Sequence, residues 1–360
     1  MHPPANKPFG PRIAILRRKL TETGLDAALI SKKESIFYYT GLPPQHPTER
    51  EAYLLISPHQ LLLYHSPFIE VPVNLPAMPM SATQPLTKVF SSFLIHSATI
   101  GIETTNLSVS EHERIQAYLP EKSFLPLDTM IAEQRRLKDQ SELELLRQAG
   151  TIAQQVIRSC RRWLNHNSAV GVTEIEVARK IDYRLRQLGA DESAFPTIVA
   201  FDHNSAKPHH LPGNTRLQPN SIILIDMGAS VHQYKSDLTR TWQRGSTSAH
   251  FSQLKTIVHQ AYARAKTTAH LPNILASSLD NAARSVIDQA GFADYFIHTT
   301  GHGIGLEAHE LPHINSTDTT PLQTGSVFTI EPGIYLPHQF GYRHEDTFVM
   351  SPAGAIALTA

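Results

Sequence analysis

The stretch SIILIDMGASVHQYKSDLTRTW, residues 221–242, decides how the second half of this chain folds. Ile222 to Ile225 is an apolar run that ends on Asp226, the pattern of a buried strand closing on a carboxylate. Asp237 follows eleven residues later. An odd spacing puts two side chains on opposite faces of one straight strand. Gly228-Ala229-Ser230 supplies a turn signal between them, and a hairpin folded there would set both carboxylates side by side on one face. Alone, two aspartates at this spacing read more simply as surface or capping residues.

A second pair lies further on. Glu331 sits in the apolar run Val327 to Tyr335, and Glu345 follows Gly341-Tyr342-Arg343-His344, with a turn expected over Pro337 to Gly341. An unpaired carboxylate within an apolar strand is costly to bury. A salt bridge to Arg343 would account for one of the two, not both. Between the pairs, histidines and glycines crowd into His298 to His313, where glycine lets backbone approach a site closely. His309-Glu310-Leu311-Pro312-His313 matches the zinc-protease pattern H-E-x-x-H, which requires a helix. Pro312 removes a backbone donor and biases Leu311 away from helical angles, so the match argues for no helix and no zincin.

The rest of the chain frames these motifs. Of its 360 residues, 41% are hydrophobic and 18% charged, the balance of a folded protein with a full core. Lys+Arg and Asp+Glu are 32 each, which removes the electrostatic argument for nucleic acid or an anionic membrane. The lone cysteine, Cys160, forms no intrachain disulfide and reads as a buried hydrophobe, compatible with a cytoplasmic protein. No apolar run approaches a spanning helix, and the first residues lack a signal-peptide pattern. Residues 1–10 read as a frayed end. Arg12 to Gly24 reads as an amphipathic helix, followed by strands at Ala27–Ile30, Tyr53–Ile56, Leu61–His65 and Ala98–Ile102. Capping-box patterns start helices at Ser141–Glu144 and Thr173–Glu176. Phe251–Ala269 and Asn281–Ala290 read as further helices, between strand-rich blocks at 195–212, 221–242 and 325–350. The pattern change near residue 135 divides the chain into domains 1–133 and 134–360.

Asp226, Asp237, His302, Glu331 and Glu345 together are four carboxylates and one imidazole, a set suited to two divalent cations. Such cations, held about 3.5–4 Å apart, can clamp the oxygens of a hydrolysis. Ligand hardness favours Mn²⁺, and Zn²⁺ and Co²⁺ also suit the set.

These motifs resemble a known family. Asp-x10-Asp, Gly-His-Gly-Ile-Gly-Leu-x-x-His-Glu (301–310), Thr-Ile-Glu-Pro-Gly-Ile-Tyr (329–335) and Arg-x-Glu-Asp (343–346) look like the dinuclear metallopeptidases of the pita-bread fold, from about Arg136 onward. The resemblance implies an α+β protein: a C-terminal pita-bread catalytic domain preceded by a smaller α/β domain of the creatinase N-terminal type. It implies an Xaa-Pro aminopeptidase or prolidase that takes small peptides with proline second and works as a homodimer. By resemblance Asp226 binds one metal, His302 and Glu331 the other, and Asp237 and Glu345 bridge, with Glu331 also shuttling a proton. His209 matches the histidine that contacts substrate near the scissile amide, and His309 the one that steadies the carbonyl oxygen. His298 lines the site, Arg343 hydrogen-bonds within the cluster, and Phe195 borders the proline pocket. His203 and His210 read as solvent-facing loop residues.

Four positions depart from the family pattern. Val231 stands where a tyrosine is usual, Asp202 where a glycine is usual, and His344 where an apolar residue is commoner. His313 stands where many prolidases carry an arginine for the dipeptide carboxylate. A histidine is a weaker, pH-dependent partner for that carboxylate, which leaves longer peptides open. A creatinase-like C–N hydrolase and a non-catalytic peptide-binding relative are the alternatives on the same scaffold.

Overall fold

In a computed structural model, residues 9–44, 46 and 49–360 are described, and they form two units that divide between Gln134 and Arg135. The expected frayed end lies outside the described residues as far as Pro8, and Phe9 and Gly10 already belong to the first helix.

The first unit is one sheet with helices. Its elements are α1 (Phe9–Thr23), β1 (Ala27–Ile30), α2 (Lys33–Thr40), β2 (Ala52–Ile56), β3 (Leu61–His65), β4 (Ala77–Pro79), α3 (Leu86–Phe93), β5 (Thr99–Ile102), α4 (Val109–Tyr118), β6 (Ser123–Pro126) and α5 (Asp128–Arg136), the last containing the division. The six strands are ordered β4-β3-β2-β1-β5-β6. β1 is buried along its whole length, which explains an apolar run without alternation. Ile13, Leu16 and Leu20 bury one stripe of α1 at helical spacing.

The second unit opens with two long helices, α6 (Gln140–Asn165) and α7 (Glu174–Gln187). The capping box of α6 is Asp139 with Glu142, two residues before the expected Ser141 with Glu144, whereas Thr173 and Glu176 cap α7 as read. Strands β7 (Glu192–Ser193), β8 (Ile198–Phe201), β9 (Ile222–Met227), β10 (Ala229–Val231), β11 (Tyr234–Lys235) and β12 (Leu238–Gln243) follow. Helices α8 (Ala249–Thr268) and α9 (Ala276–Gln289) come next. The chain then runs through β13 (Gly301–Gly303), β14 (Glu310–Ile314), β15 (Val327–Ile330), β16 (Gly333–Leu336), β17 (Phe340–Arg343), β18 (Asp346–Ser351) and β19 (Gly354–Ala357). Helix α9 starts five residues before the expected Asn281, because its N-cap, Leu275, has no side-chain capping bond to mark it.

Three sheets carry the site. β9 is the centre of β12-β9-β8, β13, β15 and β18 belong to β14-β13-β15-β18-β19, and β16 pairs with β17. Helices α8 and α9 cover a core that includes Leu254, Val258, Leu279, Phe328 and Phe348. Each such side chain contributes about 1.5–3 kcal/mol on burial, so the strands beneath have little freedom to drift. The turn between Asp226 and Asp237 lies at His232-Gln233, both at positive φ, rather than at Gly228–Ser230. Residues 195–212 hold one strand and a 3-10 turn, not a strand-rich block.

Candidate metal and active site

The two aspartates meet at adjacent strand ends. Asp226 lies near the end of β9, Thr239 of β12 pairs with it, and Asp237 immediately precedes β12. His302 is the middle residue of β13 between Gly301 and Gly303. A Cβ on Gly301 would run into the Thr329 carbonyl, and one on Gly303 into the Leu311 carbonyl. Glycine on both sides therefore lets β13 press against its neighbours and fixes the imidazole between them. Glu331 follows β15 directly, anchored by its N–H to the Thr300 carbonyl at 2.8 Å. Glu345 occupies the two-residue link between β17 and β18.

These five side chains converge. His302 Nε2 lies 3.2 Å from Glu331 Oε1 and 3.7 Å from Asp237 Oδ2. One ligand atom each of Asp237, His302 and Glu345 falls within 4.8 Å of the others, all three side chains buried. Asp226 and Asp237 lie close enough for each to shift the other's carboxyl. The donor set passes a test of fit for cations. Asp226 Oδ1, Asp237 Oδ1 and Glu345 Oε1 are buried without a hydrogen-bond partner among the described residues, a costly state for carboxylates unless positive charge joins them. His302 Nδ1 lies 3.1 Å from the Gly303 carbonyl; a carbonyl only accepts, so Nδ1 carries the proton and Nε2 is left as a ligand atom.

In the metal-free chain the same groups offset one another's charge. Burial, then the charge of Glu345, pushes the Asp237 carboxyl well up; burial, then Glu331, does the same to Glu345. Burial would also raise Glu331, but the hydrogen bond and charge of His302 hold it down to about 2. His302 is raised in turn, against the effect of its burial, by Glu331.

Arg343 is the hub of the surround. Its Nη2 donates to Asp226 Oδ2 at 2.6 Å, its Nη1 to the Tyr335 hydroxyl at 2.8 Å, and its Nε to Thr239 Oγ1 at 3.0 Å. Its ion-pair partner is thus Asp226, not Glu331 or Glu345 as the local sequence implied. Thr239 Oγ1 donates onward to Glu345 Oε2 at 2.7 Å. His298 Nδ1 lies 2.7 Å from the Thr299 carbonyl, and burial lowers its pKa. Its Nε2 therefore accepts from the Tyr335 hydroxyl at 2.8 Å.

Above the carboxylates opens a cavity of about 530 Å³, with Phe195, His209, His298, His309 and His313 among its lining residues. His209 is exposed on the loop after the 3-10 turn. His309 stacks edge-on against His302, ring centroids 4.2 Å apart, and burial followed by the charge of His302 lowers its pKa. His313 sits directly opposite His302 in the β13–β14 ladder. All eleven side chains singled out in the sequence are accounted for: five form the cluster, Arg343 bonds to it, and five border the cavity.

Three further residues shape the surround. Tyr335 was quoted only within its motif; the signal for it is Gly341 directly opposite in the β16–β17 hairpin, which leaves room for the ring. His210 is no solvent-facing loop residue: its Nε2 lies 2.9 Å from Glu174 Oε2. Glu174 is fully buried. His203 is exposed as expected. Among the departures, Val231 is buried and pairs with Tyr234, and His344 lies between the rings of His259 and Tyr262. The HExxH match is a strand, β14.

A buried carboxylate–imidazole cluster under a cavity, on this arrangement of sheets and helices, defines a metal-dependent hydrolase of the pita-bread type. Residues 144–352 match metallopeptidase family M24, and residues 12–137 match the Creatinase/Prolidase N-terminal domain. The Xaa-Pro dipeptidase of Pyrococcus furiosus is 34% identical over 97% of each chain. The solved prolidase from Pyrococcus furiosus superposes with a TM-score of 0.85 at 33% identity, covering 95% of this chain and 98% of its own. The X-Pro aminopeptidase from Thermotoga maritima gives a TM-score of 0.85 at 30% identity, covering 97% of both chains. The chain belongs to metallopeptidase family M24, and with that family come divalent metal ions.

Proposed function

We propose that this chain hydrolyses the Xaa-Pro bond of short peptides with two divalent cations and releases the N-terminal residue. One observation carries the reading: Asp237 and Glu345 converge with His302 beneath a cavity bordered by His209, His309 and Phe195, and each keeps a buried oxygen without a hydrogen-bond partner among the described residues. The prolidase and X-Pro aminopeptidase relatives support the choice of bond.

In this reading Asp226 would hold one cation, His302 and Glu331 would hold the other, and Asp237 and Glu345 would serve both. The chemistry such cations would supply when held there is polarisation of the scissile carbonyl and a water nucleophile at neutral pH. The side chains supply the rest. Glu331, ionised, takes up the proton released by the attacking water. His309, neutral because burial lowers its pKa, donates a hydrogen bond to the carbonyl oxygen. The proline nitrogen is tertiary in the peptide and leaves as a secondary amine, so it must gain a proton; His209, on the cavity wall, delivers it. Phe195 borders the space for the proline ring. Arg343 and Tyr335 hold Asp226 and His298 in place.

The finer assignments follow the sequence reading: Mn²⁺ from ligand hardness, a homodimer, the cytoplasm, and a catalytic domain that begins at residue 134. The single thiol, Cys160, is buried and raised to about 12 by that burial, which fits a small hydrophobe and not a nucleophile. The test compares Ala-Pro, Ala-Pro-Ala and Ala-Ala on protein reconstituted with Mn²⁺, Zn²⁺ or Co²⁺. Cleavage of either proline substrate over Ala-Ala supports the proposal. Failure to cut both under every metal overturns it.

A further inference from the structure

Glu174 is the first residue of α7 and has no access to solvent. Its carboxylate accepts four hydrogen bonds. Oε1 takes the Phe201 N–H at 2.7 Å and Asn204 Nδ2 at 2.9 Å. Oε2 takes His210 Nε2 at 2.9 Å and the Gly213 N–H at 3.0 Å. A single buried side chain therefore ties both ends of the segment 201–213. The exposed His209 stands inside that segment, directly beside His210, which with Asn204 reaches back to the buried carboxylate.

Other bonds fix the segment ahead of His209: Asp202 accepts from the Ile222 N–H and Ser221 Oγ, and Asn204 Nδ2 also donates to Thr215 Oγ1. Gly341 N–H donates to Ser205 Oγ at 2.9 Å, and Arg343 Nη1 reaches the Pro208 carbonyl at 3.4 Å. Both lie on the N-terminal side of His209. On its C-terminal side, His210 to Glu174 is the first side-chain anchor. An exposed loop residue owes its position to such anchors, and an error of about 1 Å in a catalytic group can cost on the order of 10²-fold in rate.

We infer that the Glu174–His210 pair is the positioning device for His209: His210 acts through its neighbour and does not itself take part in the chemistry. The inference rests on the proposed role of His209 at the scissile amide. Both adjacent histidines border the cavity, and His210 is the one bonded to the buried carboxylate.

Because Glu174 carries four hydrogen bonds, replacing it risks the fold, so the test works through His210. The full chain, loaded with Mn²⁺, is assayed on Ala-Pro and Ala-Pro-Ala as His210→Ala, His210→Gln, His209→Ala, and His210→Ala combined with His209→Ala or with His309→Ala. His210→Ala is expected to lower kcat about 10-fold or more with KM little changed. His210→Gln, whose amide can still donate to Glu174, should recover most of that loss. In the His209→Ala background, His210→Ala should cost less than about 2-fold, while in the His309→Ala background it keeps its full effect. Bound metal, measured directly, should stay constant throughout.

Each contrary result is decisive. A raised KM at unchanged kcat would make His210 a direct substrate contact and overturn the inference. Equal multiplicative losses in both backgrounds, or loss of metal, would make the pair a general structural element and overturn it too. If His209→Ala itself left turnover intact, the functional reading of His209 would fail first, and the inference with it. A large His209→Ala loss that His210→Ala multiplies would overturn the inference alone.

Discussion

Glu345 and Asp346 are neighbours in the chain, and each is 1% exposed. They face opposite surroundings. Asp346 has every oxygen occupied: Oδ1 accepts from Arg240 Nη2 at 2.6 Å and Thr359 Oγ1 at 3.0 Å, and Oδ2 from the Tyr262 hydroxyl at 2.7 Å. Glu345 has Thr239 on one oxygen and no partner on the other among the described residues. The contrast extends through the second unit. Glu174, Asp280 and Glu310 are buried with donors on both oxygens, whereas Asp226 and Asp237 each keep an oxygen without one. Burial alone does not distinguish a metal ligand from a structural carboxylate. Incomplete satisfaction does, because a protein can tolerate repelling, unpartnered carboxylates only if something outside the chain completes them.

The largest effects should come from the incomplete group. Asp237→Asn or Glu345→Gln should reduce Xaa-Pro turnover on the order of 10³-fold, since each removes charge from the cation site and several kcal/mol of transition-state stabilisation depend on it. The same substitutions should stabilise the metal-free protein. Burial and mutual repulsion raise both carboxyls above their ordinary values of 3.8 and 4.5. A raised native pKa means that the folded chain holds protons the unfolded chain has released. Metal-free stability therefore declines as pH rises above about 4, by about 1.4 kcal/mol per pH unit per proton held. Urea unfolding across that range should show the slope in the chelated wild type, a shallower slope in either variant, and its loss when divalent metal is restored. A chelated wild type whose stability rises steadily with pH above 5 would place the carboxylates in the satisfied class.

The satisfied group should respond the other way. Glu310 is held by Arg135, by Lys138 Nζ at 3.3 Å and by the Glu307 N–H at 2.9 Å, with the Arg135, Lys138 and Glu310 side chains at most 6% exposed. Glu310→Gln takes this carboxylate from Lys138 and leaves Arg135 with Glu307 at 2.9 Å, and should cost about 3 kcal/mol of stability, with metal content unchanged. Burial would raise this carboxyl, but Arg135 and then Lys138 hold it down to about 2 from an ordinary 4.5. A depressed native pKa gives stability that is complete above 4.5 and lost as pH falls toward 2. The difference is worth about 3 kcal/mol, and the Glu310→Gln variant should lack that part of the acid transition.

Which class a carboxylate belongs to was only partly legible in the sequence. The cluster itself could be read, because each ligand sits in a short motif: an apolar run ending on Asp226, glycines flanking His302, Glu331 after Val327–Ile330. The partners could not, because they are distant in sequence. Arg343 bonds Asp226 across 117 positions rather than the nearby Glu345, and His210 finds Glu174 across 36. Local rules also gave a tie at α6. Asp139-x-x-Glu142 and Ser141-x-x-Glu144 are both capping patterns, and only the hydrogen bonds choose the first. The His232-Gln233 turn had no glycine to announce it. The fold was more legible than the wiring, since apolar period follows from each element alone while pairing depends on where elements meet.

Asp202 offers the smallest and sharpest version of the contrast. It stands at φ 51°, a conformation that favours glycine, and a glycine was the residue expected from the family pattern. Its carboxylate repays the strain by accepting from the Ile222 N–H and Ser221 Oγ, both at 2.8 Å, at the start of the strand that carries Asp226. It is a satisfied carboxylate whose bonds come from a hydroxyl and a backbone N–H, so removing it takes a partner from neutral donors only. Asp202→Gly loses two hydrogen bonds and relieves the backbone; these should nearly offset, leaving a net loss of about 1 kcal/mol or less. Asp202→Ala loses the same bonds and keeps the strain. It should therefore be about 1–2 kcal/mol less stable than the glycine variant in urea unfolding. Equal stability of the two variants would mean that the left-handed backbone costs nothing here, and that hydrogen bonds to β9 alone explain an aspartate at this position.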